Sequence, residues 1–203
     1  MSDAPAPSNT APRRRDPDRR QRILAAAARL VAERGYHEVG MSDIGAAAGI
    51  VGSGIYRHFG GKPAVLVAMF DRVIDDLTHA ANDILARELE PSQTLRELIG
   101  AHVRITLGDR TLMRVYHNEM TNLPADDSHR LRRKQRLYIE EWVHVLEVLR
   151  PDVDDAVLRA LVHAAIGAVH STLFYQSGVP DDRLAKLMAA AAEATLFIPD
   201  VGR

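Results

Sequence analysis

Glycines divide the region from residue 35 to residue 61 into segments too short for ordinary bundle helices. Gly35, Gly49 and the pair Gly60-Gly61 bound two stretches, 42–48 and 53–59, each with apolar residues at helical spacing. Glycine commonly ends a helix because it adopts a left-handed backbone at little cost. Two short helices joined by a glycine-containing turn form a helix-turn-helix. The pattern therefore predicts this motif here.

Longer helices are predicted on both sides of the motif. Asp16 followed by Pro17 is typical of a helix start, and a second long helix is predicted from Lys62 onwards. Both segments repeat apolar residues at the spacing of one buried face. Five more helices and no strand are predicted further along the chain. Their spans are 91–107, 110–122, 126–149, 154–176 and 181–197. The predicted fold class is all-α, with about nine helices.

The charge of the whole chain conceals a basic N-terminal part. Lysine plus arginine total 26 and aspartate plus glutamate 27, a formal net charge of −1 that by itself indicates no nucleic-acid partner. Residues 11–62 contain ten basic and five acidic side chains, whereas residues 63–203 contain 16 and 21. Because the basic part coincides with the helix-turn-helix, the charge distribution favours DNA as a partner.

Several other classes of protein are excluded or disfavoured. The chain has no cysteine, which excludes disulfides, thiolate-bound zinc and thiol catalysis. His163 and His170 share a helix face but stand about 10.5 Å apart along it, too far for one metal ion. We therefore expect no metal, no cofactor and no enzymatic site. The sequence shows no secretory signal and no run of about 18 apolar residues, so we expect a cytoplasmic protein without membrane contact.

Residues 20–66 resemble the DNA-binding domain of the TetR family of bacterial transcriptional regulators. The family pattern is an Ile-Leu helix ending in a Gly-aromatic pair, then D-I-A-x-x-A-G-V, then a short helix ending Y-x-H-F, then x-x-K-x-x-L. The matching elements here are Ile23-Leu24, Gly35-Tyr36, Asp43-Ile44-Gly45, Ala48-Gly49-Ile50, Tyr56-Arg57-His58-Phe59 and Lys62…Leu66. So many elements in register make a specific signal.

The resemblance implies a homodimeric repressor that places a recognition helix, residues 53–59, in the major groove of double-stranded operator DNA. Tyr56 and His58 would contact phosphates, and Lys62 would do so at the start of the next helix. Arg57 is the one long donor on that helix that can bridge guanine O6 and N7. The predicted DNA-contacting residues are Arg13, Arg14, Arg15, Ser42, Val51, Gly52, Ser53, Gly54, Tyr56, Arg57, His58 and Lys62.

Two alternatives stay open for the head. The arginines at 13–15 either enter a minor groove or form a solvated tail. The sequence also departs from the family pattern: Val51 stands where a Ser often caps the recognition helix, Gly54 where a Thr is common, and Gly40-Met41 where Thr or Ser is usual. These losses leave room for a helical ligand-binding protein with a weakened DNA head. A third hypothesis, an enzyme using the bundle cavity, has no catalytic constellation to support it.

Polar and aromatic residues on the apolar faces of the later helices predict an effector pocket. They are Tyr116, His117, Glu119, Tyr138, Trp142, His163, His170 and Phe174. Plain bundle core is the alternative for any one of them. Residues 116–119 and 142–146 resemble TetR-family regulators of lipid and sterol catabolism, which implies an acyl-CoA thioester or another hydrophobic acid as effector. The basic run 130–136 is either a solvated face or a contact for the phosphates of such a ligand.

Apolar stripes on the last two helices predict the dimer interface, as a four-helix bundle between two subunits. The residues are Leu158, Leu161, Val162, Ala165, Val169 and Thr172 on one helix, and Leu184, Leu187, Met188 and Ala191 on the other. The predicted domains are a disordered basic arm (1–15), a helix-turn-helix domain (16–65, motif about 42–61) and an effector-binding and dimerisation domain (66–203). Ligand would relieve repression by changing the spacing of the two heads, with the helix from Lys62 as the connection.

Overall fold

The computed structural model describes residues 17–50 and 52–199. All regular structure in those two ranges is helical, which confirms the predicted fold class. The α-helices are α1 (Pro17–Arg34), α2 (Met41–Ala47), α3 (Lys62–Leu85), α4 (Pro91–Gly108), α5 (Arg110–Asn118), α6 (Ala125–Leu149), α7 (Asp155–His170) and α8 (Asp181–Leu196). The predicted arm with Arg13, Arg14 and Arg15, and also Val51, lie outside the described residues.

The N-terminal head consists of α1, α2, a short 3₁₀ helix and the start of α3. Ile23, Ile44 and Ile55 are almost fully buried and form its core together with Phe59. The backbone at Gly35 and Gly49 has φ of +83° and +69°, a left-handed conformation that favours glycine at these two turns. The predicted tight succession of short helices follows from these turns.

The second short helix of the head differs from the prediction in type. Residues 53–59 were expected to form an α-helix, but the structure has a 3₁₀ helix at Gly52–Arg57. Two of its six residues are glycine, which costs about 1 kcal/mol each in an α-helix, and a single tight turn suits so short a segment. The prediction of a helical segment is confirmed, and its α-helical geometry is corrected.

The body is built from α3 to α8. α3 packs on α4 and α6, and α7 packs closely on α8. Trp142 and Phe70 are the largest fully buried side chains of its core. α3 runs without a break across the predicted domain boundary at residue 65, and α5 of the body packs against α1 of the head. The division into two domains therefore stays a prediction.

Two helices of the body end earlier than predicted. α5 ends at Asn118, followed by a 3₁₀ turn at Met120–Asn122, and α7 ends at His170, followed by a 3₁₀ turn at Ser171–Leu173. The hydroxyls of Ser171 and Thr172 donate to the carbonyls of Ala168 and Val169, at 2.7 and 2.8 Å. Side-chain hydroxyls that bond to nearby carbonyls compete with the helical backbone, which explains the tighter last turn of α7.

One helical stretch, Asp155–Leu173, is long and apolar enough to cross a membrane by length and composition, which is weak evidence alone. The sequence predicts no such stretch, because His163 and His170 interrupt the apolar run. Both histidines line a cavity of the body, and Arg159 on the same helix pairs with Glu140 and Asp155. Only 33% of the stretch is buried inside the subunit, so much of its apolar surface faces outwards.

Candidate nucleic-acid interface and ligand cavity

The 3₁₀ helix of the head presents three consecutive polar side chains on its outer side. Tyr56 is 58% exposed, and Arg57 and His58 are exposed next to it, whereas Ile55 and Phe59 point into the core. This exposure leaves the hydroxyl of Tyr56 accessible to a partner. Ser42 at the start of α2 and Ser53 are exposed as well. The predicted phosphate-contacting and base-contacting side chains are thus accessible, and their roles stay predictions.

Lys62 has a structural role that the sequence analysis missed. Its Nζ donates to the carbonyl oxygens of Tyr36 and His37, at 2.9 and 3.3 Å, and lies 4.4 Å from the centre of the Tyr36 ring. These contacts fasten the loop after α1 to the start of α3. One proton of the ammonium group remains for the predicted phosphate contact, which stays a prediction.

Close packing explains why Gly54 departs from the family pattern. A Cβ atom at Gly54 would lie 2.9 Å from Cγ2 of Ile50. Non-bonded carbon atoms prefer a separation of about 3.5–4.0 Å. A threonine at this position therefore does not fit beside the isoleucine, and the missing hydroxyl follows from packing inside the head.

This packing predicts a measurable coupling between two positions. We expect Gly54→Ala to lower the free energy of unfolding by about 1 kcal/mol or more, because overpacking forces neighbours to shift. In a chain that already carries Ile50→Ala, the same substitution should cost much less. Urea unfolding of the two single variants and the double variant measures the coupling. Strictly additive costs would show that the two side chains do not compete for space.

A cavity of about 350 Å³ lies inside the body, among α3, α4, α5, α6 and α7. Its lining includes five of the eight predicted pocket residues, namely Tyr116, His117, Tyr138, His163 and His170. It also includes Ile74, Leu77, His102, Met113, Met120, Gln135, Ile139, Ile166 and Gly167. The volume lies at the lower end of the range for small-molecule sites. A largely apolar wall with a few polar groups is typical of such sites.

Three predicted pocket residues do not line the cavity. Trp142 is fully buried behind it, with its ring 5.8 Å from that of His102. Phe174 is 55% exposed and packs edge-on against His117, with ring centres 5.1 Å apart. Glu119 accepts a hydrogen bond from Nδ2 of Asn122 at 2.6 Å. These three residues do not line this cavity, because helical periodicity predicts which face of a helix is apolar but not how deep each residue lies. Their place in an effector site stays a prediction.

A chain of three polar side chains crosses the cavity wall. His102 Nδ1 lies 3.0 Å from the hydroxyl oxygen of Tyr138, and His102 Nε2 lies 3.1 Å from Nε2 of His170. A hydrogen bond between two imidazole nitrogens needs one N–H and one lone pair, so these contacts suit two neutral rings. Sequence reasoning missed His102, although a histidine among Leu95, Leu98 and Ile99 on the buried face of α4 was a usable signal.

Burial keeps both histidines neutral near pH 7. Loss of solvent lowers the pKa of His102 to about 3, with a smaller contribution from His170. The same cause lowers the pKa of His170 to about 4, with a smaller contribution from His117. Burial also raises the pKa of the Tyr138 hydroxyl. The part of the wall formed by His102, His170 and Tyr138 therefore carries no formal charge at neutral pH.

Tyr116 stands out because its hydroxyl is unpaired. The residue is only 5% exposed, and its hydroxyl oxygen has no hydrogen-bond partner among the described residues. Burial raises the pKa of this hydroxyl to about 12, so it remains a proton donor. The ring packs edge-on against Phe70, with centres 5.1 Å apart. An unpaired buried hydroxyl is uncommon in proteins, and this one belongs to a residue that lines a cavity.

The cavity adjoins a wider groove that carries positive charge. The two share Met120, Gln135, Ile139 and His163. The groove adds Arg132, Arg136, Arg159 and Glu140. Arg159 is paired with Glu140 and Asp155, but neither Arg132 nor Arg136 has a carboxylate partner in the part of the chain that the structure describes. Two arginines thus remain available to an anion at the cavity's edge.

The basic run at 130–136 is divided between two faces of α6. Arg130 pairs with Asp71 at 2.6 Å, and Lys134 pairs with Asp75 at 2.8 Å, so this face is bound to α3. Arg132 and Arg136 project on the other face, into the groove. Arg130 and Lys134 therefore do more than form a solvated face, because they form ion pairs with α3. The interpretation as a contact for ligand phosphates now concerns Arg132 and Arg136 alone.

The predicted dimer residues fall into two groups. Seven of the ten are buried within the subunit: Leu158, Val162, Ala165, Val169, Thr172, Leu184 and Met188. They pack in the subunit's own core, where they offer a partner no surface. Leu161, Leu187 and Ala191 reach the outside, and Leu187 is 52% exposed. Because α7 is apolar on more than one face, its periodicity could not show which face points outwards.

Comparison with known proteins gives consistent results. Residues 23–69 match the family model for bacterial regulatory proteins of the tetR family, and residues 88–173 match that of the tetracyclin repressor-like C-terminal domain. The HTH-type transcriptional repressor KstR2 of Rhodococcus jostii (strain RHA1) is 29% identical over 143 residues, which are 67% of this chain and 70% of that protein.

Solved structures agree with the fold throughout. A TetR-family transcriptional regulator from Bordetella parapertussis 12822 superposes with a TM-score of 0.79 at 26% identity, covering 87% of this chain and 95% of that one. AibR, solved in complex with isovaleryl coenzyme A and operator DNA, superposes with a TM-score of 0.71 at 19% identity, covering 85% and 97%. At that identity the likeness to AibR shows the fold alone.

A helix-turn-helix head on a helical body with an internal cavity defines a DNA-binding transcriptional regulator. The chain belongs to the TetR family of bacterial regulatory proteins, as residues 20–66 predicted. Regulators of this family bind operator DNA, dimerise and respond to small-molecule effectors. The three predicted kinds of partner are therefore confirmed at the level of the family.

Proposed function

We propose that this chain is a homodimeric repressor that leaves its operator when an acyl-CoA thioester, or a similar hydrophobic acid, binds in the body. The observation that carries the proposal is the apolar cavity that adjoins a groove with Arg132 and Arg136, neither of which has a carboxylate partner among the described residues. The acyl group would occupy the cavity, and the phosphates would bind Arg132 and Arg136, since guanidinium groups bind phosphate bidentately. AibR, of the same fold, was solved with such a thioester.

The surface of α7 and α8 would form the subunit interface. Leu161, Leu187 and Ala191 lie on the outside of these two helices, among small exposed residues such as Ala164 and Ala190. Small side chains let helices approach closely, and two helices from each subunit make a four-helix bundle. The outward apolar face of α7 would then be covered by the second subunit.

The effect of ligand would reach the head mainly through α5. This helix supplies Met113, Tyr116 and His117 to the cavity wall and packs against α1 of the head. A ligand that moves α5 therefore moves α1 directly, while α3 provides the second connection. The shift in DNA affinity equals the difference in ligand affinity between the two head spacings. As a sensor, the cavity binds its ligand without converting it, and the protein works in the cytoplasm where its operator lies.

The head should show two kinds of DNA contact. We expect Tyr56→Phe to weaken binding about tenfold on specific and unrelated DNA alike, because a lost phosphate contact carries no sequence information. Arg57→Ala should instead reduce discrimination between operator and mismatched sites by about 1–3 kcal/mol, since a bidentate guanine contact is lost. Titration of labelled operator and scrambled duplexes measures both. Unchanged discrimination in Arg57→Ala would contradict the base-reading role.

The ligand groove provides the test of the proposed function. The DNA upstream of the chain's own coding sequence is titrated with protein across a salt series, and octanoyl-CoA is then added. We expect specific binding with a steep salt slope, and release by octanoyl-CoA but not by free coenzyme A. Arg132→Glu with Arg136→Glu should raise the octanoyl-CoA concentration needed for release by about tenfold or more, because charge-assisted contacts are lost.

A matched control lies on the same helix. Arg133 is exposed but does not line the groove, so Arg133→Glu changes the charge of α6 without touching the proposed site. It should respond to octanoyl-CoA like the unaltered protein. An equal loss of response in the Arg133 variant would point to general charge rather than to a phosphate site. Octanoyl-CoA binding without specific DNA binding would favour the ligand-binding protein with a weakened head.

A further inference from the structure

We infer that Tyr116 determines which ligands the cavity accepts: its hydroxyl donates a hydrogen bond to an uncharged oxygen of the bound molecule, and a ligand that brings a carboxylate into the cavity is rejected. The inference rests on the proposed function of the cavity as the effector site and adds the chemical class of the part that enters it. It also separates two ligands that the proposed function groups together, the thioester and the free acid.

The first support is the state of the Tyr116 hydroxyl. Tyr116 is only 5% exposed, it belongs to the cavity lining, and its hydroxyl has no hydrogen-bond partner among the residues that the structure describes. A buried donor without an acceptor costs free energy. A ligand oxygen that accepts a hydrogen bond from this donor removes that cost on binding. The hydroxyl therefore favours ligands with an acceptor at that point over purely hydrocarbon ligands.

The second support is the absence of charge around it. The fourteen described residues that line the cavity contain no lysine, arginine, aspartate or glutamate. The polar groups opposite are the chain of Tyr138, His102 and His170, whose rings are joined nitrogen to nitrogen at 3.1 Å in an arrangement suited to neutral histidines. A carboxylate beside this chain would lose its hydration and meet no lysine or arginine in the cavity lining in return.

The third support is the position of the cations. Arg132 and Arg136 lie in the adjoining groove and do not line the cavity. Anionic groups of a ligand are thus attracted to the groove, while the inner end meets the hydroxyl of Tyr116 and the neutral wall of Tyr138, His102 and His170. At about 30 Å³ per non-hydrogen atom, the value for liquid water, a cavity of about 350 Å³ holds roughly twelve such atoms. A compact acyl group with a keto, hydroxyl or thioester oxygen meets these requirements.

Two eight-carbon probes test the inference on the full chain. The affinities of 2-octanone and octanoate are measured by following cavity-residue signals in NMR titrations at pH 7.5. We expect 2-octanone to bind at least tenfold more tightly than octanoate. Tyr116→Phe should lower the affinity for 2-octanone about tenfold and leave that for octanoate unchanged. Tyr175→Phe, the same change at an exposed residue outside the cavity lining, should alter neither affinity.

Each other outcome overturns the inference. Equal affinities for the two probes, no binding of 2-octanone, or full affinity for 2-octanone in a folded Tyr116→Phe variant would do so. The proposed function fails on a different measurement, the release of operator DNA by octanoyl-CoA. If octanoyl-CoA releases DNA while the two probes bind with equal affinity, the proposed function stands and only the inferred selectivity through Tyr116 is wrong. If 2-octanone binding depends on Tyr116 while octanoyl-CoA leaves the DNA bound, only the proposed effector is wrong.

Discussion

Acidification from pH 7 to pH 4.5 is expected to destabilise the folded protein by several kcal/mol, because two buried histidines resist protonation. In the unfolded chain both titrate near the ordinary histidine pKa of about 6.5. Burial lowers the pKa to about 3 for His102 and about 4 for His170. Between about pH 6.5 and about pH 4 the unfolded chain therefore binds protons that the folded chain does not. Stability falls as the pH falls through this window.

The slope of this loss identifies its source. Each histidine contributes up to about 1.4 kcal/mol per pH unit once the pH is well below 6.5. The contribution of His170 should level off near pH 4 and that of His102 near pH 3, where the folded forms take up their protons. Urea unfolding between pH 7.5 and pH 4.5 measures the slope.

Variants separate the two histidines from the rest of the chain. His102→Gln and His170→Gln should each flatten the slope by about 1.4 kcal/mol per pH unit, because the group that is protonated only on unfolding has been removed. His129→Gln is the matched control, since His129 is exposed and lines no part of the cavity. A slope in either cavity variant as steep as that of the unaltered chain would show that the acid sensitivity arises elsewhere.

The head illustrates what the sequence alone could predict. The positions of Gly35, Gly49 and Gly60-Gly61 located its turns, because a left-handed or unusually tight turn leaves a local trace in the sequence. The Tyr56–Phe59 segment carries the family resemblance, and its first three side chains are exposed while Phe59 is buried, in agreement with it. Contacts between distant residues left no such trace. The hydrogen bond from Nζ of Lys62 to the carbonyl oxygen of Tyr36 joins positions that are 26 residues apart in the sequence.

The cavity was predictable only in part, for a related reason. Helical spacing placed Tyr116, Tyr138 and His170 on inward faces, and the structure brings them to one wall region. The partner that joins two of them, His102, belongs to a different helix and was not singled out, although it is the most buried histidine of that region. The unpaired hydroxyl of Tyr116 depends on which atoms surround it in three dimensions. A periodic pattern assigns residues to a face but cannot count their hydrogen bonds.

The two cavity tyrosines should respond differently to the same substitution by phenylalanine. Tyr138→Phe removes the hydroxyl that lies 3.0 Å from Nδ1 of His102 and leaves that fully buried nitrogen without its partner. The free energy of unfolding should fall by about 1–3 kcal/mol, the cost of an unsatisfied buried polar group. Tyr116→Phe removes a hydroxyl that has no partner among the described residues, so the ligand-free protein should keep its stability or gain some.

Thermal and urea unfolding of both variants without ligand measure the difference at pH 7.5. Tyr175→Phe, at a residue that is 54% exposed, gives the effect of the same change outside the core. A loss of about 1 kcal/mol or more in Tyr116→Phe would mean that its hydroxyl is hydrogen-bonded in solution and is not held free for a ligand. The stability experiment thus tests the state of the Tyr116 hydroxyl independently of the ligand titration. The bonded hydroxyl of Tyr138 thus stabilises the cavity wall, whereas the unpaired hydroxyl of Tyr116 remains a donor for what the cavity binds.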